Sequence, residues 1–202
     1  MIDRDGYLNV RSHGAAVFDL DARLPVQVFK EDIGDSLFYD FDSVLVPEIW
    51  PALCAMARWH GDEYVELLVL KPDCDTYYVA DYQTYPAISL SVEASEDDYW
   101  AALSHEPNDD IFGSLAISAD VITVTGASGK WGCWGERDPE VAVFRGFPNV
   151  AAQNEWRKQF GPFLSVSDAL DTYLDPVFRG KVPPEYAATL TANYGPSGGE
   201  RP

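Results

Sequence analysis

The sequence predicts an α+β domain, a largely antiparallel sheet flanked by about four helices, and three observations carry that expectation. Apolar residues recur at helical spacing in four separate stretches, each with a capping residue ahead of it or a glycine or proline at its end. Other stretches are β-branched or apolar at the period of a strand and are bounded by turn formers. Nearly half of the 202 residues are apolar, with six tryptophans, eleven tyrosines and ten phenylalanines, enough to build one core between the two kinds of element.

In chain order, the first elements expected are a strand around Ala15 to Phe18 and another over Pro25 to Lys30, with Val26 and Val28 on one face. A helix follows from Ile49 to His60, where Ile49, Leu53, Met56 and Ala57 line one side. Pro51 is tolerated only in a first turn, which sets the start near Trp50, and Gly61 suits a left-handed cap. Glu63 to Lys71 has apolar residues on both faces, Val65, Leu67 and Val69 against Tyr64, Leu68 and Leu70, the mark of a central strand. Tyr77 to Asp81 and Ala87 to Val92 read as further strands. Ser95 and Asp98 have capping-box spacing ahead of Tyr99, Trp100 and Leu103, which predicts a helix over 96–104.

From Ala119 to Phe147 the pattern is that of an antiparallel sheet: β-branched 121–125, a turn at Gly126 to Gly129, a return over Lys130 to Gly135, a turn at Arg137-Asp138-Pro139, then Val141 to Phe144. Asn149 can cap a helix carrying Val150, Trp156 and Phe160 and ending at Gly161. Ser167 can cap another carrying Leu170, Tyr173 and Leu174 and ending before Pro176. Residues 1–190 are therefore expected to form a single domain, and 191–202, rich in glycine and proline from Tyr194 onward, a disordered tail.

The net charge of −19 is concentrated, with nineteen acids against Arg58 and Lys71 alone between Glu31 and Asp110. Phosphate backbones and anionic lipids need clustered Lys and Arg, so neither nucleic acid nor a membrane surface is an expected partner, whereas a basic protein would be attracted. No run approaches the roughly 18 apolar residues of a spanning helix, and Met1 to Gly6 lacks the basic flank and apolar stretch of a signal peptide. Three scattered cysteines, Cys54, Cys74 and Cys133, form neither a disulfide framework nor a zinc motif and read as small buried groups. The expected location is cytoplasmic.

Motifs that would name a reaction are not found, and no metal or cofactor is expected. Gly126, Gly129, Gly132 and Gly135 suggest a phosphate loop, but Gly129-Lys130 precedes Trp131 and a strand rather than Ser or Thr and a helix. Nor does Ser128 sit in a nucleophile elbow, because Lys130 stands where a glycine is required. His13, His60 and His105 lie on separate elements. The pairs Asp19/Asp21, Asp40/Asp42 and Asp73/Asp75 could aim two carboxylates one way, yet none continues into a calcium loop.

Two features point instead to binding. Glu93 to Asp98 and Glu106 to Asp110 flank one short helix, so Glu93, Asp97, Asp98, Asp109 and Asp110 are candidate contacts to a basic partner, with Trp100 as an apolar anchor. In Trp131 to Asp138, strand alternation puts Trp131 and Trp134 on opposite faces, which leaves one of them a candidate for exposure. Trp134 and Arg137 are then further candidates, since Trp and Arg concentrate interface energy. A small acidic α+β chain of this character resembles bacterial immunity proteins, which neutralise toxins by covering them, and the Trp131 to Arg137 stretch is similar to segments of uncharacterised bacterial proteins of that type. The resemblance implies a non-enzymatic, stoichiometric inhibitor. Two alternatives remain open: an enzyme using a carboxylate pair or the Arg137/Asp138 turn, and a ligand-binding or scaffold domain with Trp131 or Trp134 as its platform.

Overall fold

Strands with apolar side chains on both faces need cover on both sides, and the computed structural model, which describes residues 2–196, supplies it. In chain order the elements are α1 (Arg4–Val17), β1 (Leu37–Asp40), α2 (Trp50–His60), β2 (Tyr64–Lys71), β3 (Ala87–Ser91), α3 (Glu96–Leu103), α4 (Leu115–Ser118), β4 (Val121–Thr125), β5 (Gly132–Glu136), β6 (Val141–Arg145), α5 (Val150–Phe160), α6 (Val166–Ala169), α7 (Asp175–Val177) and α8 (Pro184–Tyr194). The strands form one antiparallel sheet in the order β1-β6-β5-β4-β2-β3. The chain is an α+β domain, as its sequence predicts. No helix among the described residues is long and apolar enough to cross a membrane.

Alternation along each strand sorts the core in two. Val65, Leu67, Ile122, Val124, Cys133, Ala142 and Phe144 pack with α2, with Tyr99 and Leu103 of α3 and with Trp156 of α5. Phe38, Trp134, Val141 and Val143 pack on the opposite side with Phe18, Val28, Phe29 and the C-terminal residues Leu190 and Tyr194. Beside them, Leu68 and Ala87 meet Tyr7 and Val10 of α1. The edge at β1 is closed by an isolated bridge in which Phe38 and Leu164 exchange backbone hydrogen bonds of 2.8 Å, so it offers no free ladder there.

Where apolar spacing and caps agree, the expected elements are present. α2 starts at Trp50 and ends on Gly61 in the left-handed region, φ 76°. β2 lies between β3 and β4 as a central strand, α3 carries its full Ser95/Asp98 capping box, and Asn149 caps α5 through Ala152 N at 2.9 Å.

Five expectations are corrected. Ala15 to Val17 belongs to α1, not to a strand, and Pro25 to Lys30 is irregular apart from a bridge between Phe18 and Phe29. Asp3 caps α1 by accepting from Gly6 N, and the buried face is Tyr7, Val10, Gly14 and Val17, spaced three, four and three apart. Tyr77 to Asp81 lies in a wide helical turn, Cys74–Tyr82, started by Asp73, whose carboxylate accepts from Asp75 N and Thr76 N. The cap after α5 is Ser165 rather than Ser167, accepting from Asp168 N at 3.2 Å, and the helical path continues through Pro176 as α7. Finally, α8 runs on to Tyr194, whose ring is buried against Phe38, so residues 191–194 are part of the domain and not a tail. Of the expected tail, Ser197 to Pro202 lies outside the described residues.

Candidate functional site

The acidic stretch after β3 folds as a rigid flank. α3 is locked to α2 by Tyr99, which stacks on Trp50 with ring centres 4.9 Å apart and donates its hydroxyl to Val44 O at 2.8 Å. Trp50 in turn donates Nε1–H to Ala94 O at 2.8 Å. With Tyr99 and Leu103 turned inward, the rest of the short helix faces solvent: Glu96, Asp97 and Asp98 are exposed, and Trp100 is 43 % exposed. Beside Ser95, Glu96 and Asp97 lies an open groove of about 490 Å³ floored by Trp50 and Cys54.

The individual acids differ in what they are free to do. Asp98 accepts from Ser95 N and from Ser95 Oγ, at 2.8 and 2.7 Å, and these hydrogen bonds hold its carboxyl below the usual range. Glu93 is met by Arg58 at 3.2 Å on an exposed site, a weak pair. Asp110 caps the next turn by accepting from Phe112 N at 3.0 Å and receives the Tyr82 hydroxyl at 3.3 Å. Burial and the neighbouring Tyr77 push the Tyr82 hydroxyl up to about 12. Asp97 and Asp109 make no hydrogen bond or ion pair through their carboxylates among the described residues and so remain available.

The connection from α3 to α4 is more strongly built than its composition suggests. Asn108 and Asp109 both stand in the left-handed region, φ 58° and 57°, which short polar side chains tolerate best. Gly113 is required by a close approach, because a Cβ there would lie 2.5 Å from Pro107 Cγ. Held on this turn, Ile111 and Phe112 are 49 % and 63 % exposed, and Ile117 on α4 is 49 % exposed. Sequence reasoning did not single these three out, since Ile111 and Phe112 among Pro107, Asn108 and Gly113 show no periodicity and the four-residue α4 is too short to show one. The available signal was that very mismatch, Ile-Phe inside a turn-forming segment. Together with Trp100 they are four of the nine exposed large apolar residues among the described ones.

The second candidate region is core. Trp131 and Trp134 do point to opposite faces of the sheet, but each face is covered and both indoles are fully buried. Trp134 Nε1–H donates to Glu136 Oε1 at 2.7 Å, and Leu24 N donates to the same oxygen at 2.8 Å. Burial raises the Glu136 carboxyl above its ordinary range. Arg137 is equally committed: Nε–H donates to Ala119 O at 2.9 Å, one terminal nitrogen donates to Asp42 at 2.8 Å, and the guanidinium lies over Phe41. Trp134 is not placed to anchor a partner and neither tryptophan offers a platform, whereas the Arg137 side chain stays partly exposed.

The glycines of this hairpin also have packing reasons. Asp62, just after α2, accepts from Ser128 N, Ser128 Oγ and Trp131 Nε1 at 2.7, 2.7 and 2.9 Å. A Cβ at Gly126 would stand 2.3 Å from that carboxylate, and one at Gly132 would stand 2.4 Å from Phe18 Cζ. The amide of Ser128 is thus taken by a carboxylate and is not offered to a phosphate. The Asp-x-Asp pairs have local tasks as well: Asp19 and Asp73 accept from amides two residues on, Asp40 accepts from Ser43 N, and Asp42 pairs with Arg137. Searches of family models, curated proteins and solved structures return no match to this chain.

Proposed function

We propose that this chain is a non-enzymatic acidic binding protein that neutralises a basic protein partner by stoichiometric contact, in the manner of a bacterial immunity protein bound to its toxin. One observation carries the reading. From Pro72 to Gly129 there are eleven acids and no Lys or Arg, and within that stretch residues 93–120 present Trp100, Ile111, Phe112 and Ile117 to solvent on a rigid frame. Exposed apolar anchors amid uncompensated like charge are unfavourable for an isolated surface and suited to a partner that supplies both apolar contact and cations. Charge would set the encounter rate and the choice of partner, and burial of the anchors the lifetime. Because the frame is already formed, little ordering cost falls on binding.

Capture from the native host, followed by kinetics on the purified partner, tests this. Glu96→Gln, Asp97→Asn, Glu106→Gln and Asp109→Asn together leave the Asp98 and Asp110 caps intact. They should slow association by about tenfold or more and flatten its salt dependence. Phe112→Ala should mainly speed dissociation. Association that is independent of salt, or a captured partner without net positive charge, would overturn the reading.

A further inference from the structure

On the side of the sheet covered by α1, away from α3, the middle of that helix overhangs the start of β2 and leaves a cavity of about 450 Å³. Asn9 and His13 of α1, Glu63, Tyr64 and Glu66 around the start of β2, and Ser89 of β3 line it. Glu66 is the unusual member. It sits on a central strand, is only 5 % exposed, and its β2 neighbour on the same face is the buried Leu68. Its Oε2 meets His13 Nδ1 at 2.7 Å, while Oε1 has no hydrogen-bond partner among the described residues. Oε1 is not enclosed but opens to the cavity, and a single imidazole leaves part of the carboxylate's accepting capacity unused.

The surroundings add further negative charge. No Lys or Arg lines the cavity, and Glu63 adds an exposed carboxylate at its rim. Asp62 also borders it, but that carboxylate is saturated by Ser128 and Trp131. Tyr64, half exposed, puts an aromatic ring at the opening.

We infer that this cavity binds a small organic monocation, an ammonium or guanidinium group, through the free oxygen of Glu66 and the ring of Tyr64. A divalent metal asks for six or more oxygen ligands or a compact set of three or four side chains, and no group of three His, Cys, Asp or Glu among the described residues is arranged to hold one. An organic cation asks for less: one carboxylate oxygen, an aromatic face, and polar atoms such as those of Ser89 and Asn9 for its remaining N–H groups. The volume falls within the range of small-molecule sites. The site lies apart from the acidic flank and does not depend on the function proposed for it.

Titration calorimetry on the full chain tests this with n-butylammonium and n-butylguanidinium, with n-butanol as the uncharged control. Saturable binding of either cation but not of butanol is expected, weakened about tenfold or more in Glu66→Gln and unchanged in Asp97→Asn/Asp109→Asn. Nα-acetyl-lysine amide and Nα-acetyl-arginine amide separate the sources: tighter binding of these marks a partner's side chain as the natural cation, and tighter binding of the simple cations marks a free metabolite. Ser89→Lys reads the same demand without ligand, because residue 89 is paired opposite Glu66 and brings its own ammonium. That variant should melt higher than the parent and no longer bind. Equal binding of butanol, undiminished binding by Glu66→Gln, saturation by Mg²⁺ or Ca²⁺ but not by the amines, or a lower melting point for Ser89→Lys would each overturn the assignment.

Discussion

The Trp131–Arg137 strand segment and the flank over residues 93–120 carry the same raw material, tryptophan next to acids, and the fold puts one inside and the other outside. β5 has a strand on each side and a packed layer on each face, so alternation along it only decides which core a tryptophan joins. α3 has cover on one face alone, and Trp100, next to the inward Tyr99, is left in solvent. The acids diverge in the same way. Burial raises Glu136, which serves as acceptor for an indole and an amide, whereas two hydrogen bonds from Ser95 lower the exposed Asp98. Residue type alone does not put a side chain at the surface; the number of covered faces does.

Three substitutions sharpen that contrast. Trp134→Ala should show the largest effect, about 3–5 kcal/mol lost in denaturant unfolding, because it opens a fully enclosed cavity and removes one of the two donors to the Glu136 carboxylate. Glu136→Gln comes next and is conditional on pH. With the folded carboxyl raised above the unfolded one, the wild-type advantage is complete below the unfolded value of about 4.5 and is lost as pH rises through the folded value. Melting curves of wild type and Glu136→Gln should therefore diverge in favour of glutamine as pH climbs out of the acid range; parallel curves would show the carboxyl to be solvated. Trp100→Ala is expected to be smallest, within roughly 0.5 kcal/mol of wild type in the same unfolding assay, as befits an exposed side chain.

Much of this architecture was legible because two local signals coincided. Pro51 and Gly61 bracket α2, Ser95 and Asp98 open α3, Asn149 opens α5, and the doubly apolar Glu63 to Lys71 segment announces a central strand. It failed where one signal stood alone. α1 has a good cap in Asp3, but Gly6 and Gly14 and a low apolar content mask its stripe. Thr76-Tyr77-Tyr78-Val79 has strand propensity, which the Asp73 cap overrides. The candidate flank was half legible. Charge density located it, but the separation of capping acids from free ones, and the exposure of Phe112, depend on a turn set by Asn108, Asp109 and Gly113. The His13–Glu66 pair joins residues 53 apart, and no sequence spacing could join them.

The pairing of β1 with β6 has a consequence for synthesis on the ribosome. Leu37 is registered with Phe144, so β1 leaves the exit tunnel well before its partner exists, on the order of ten seconds at typical elongation rates. Meanwhile β2 and β3 can form their hairpin but lack β4 to cover the other edge. The segment that waits in this state coincides with the stretch of nineteen acids and two bases. Like charge on neighbouring nascent chains opposes the approach of their open strand edges, so the acidity of this segment acts before the fold is complete.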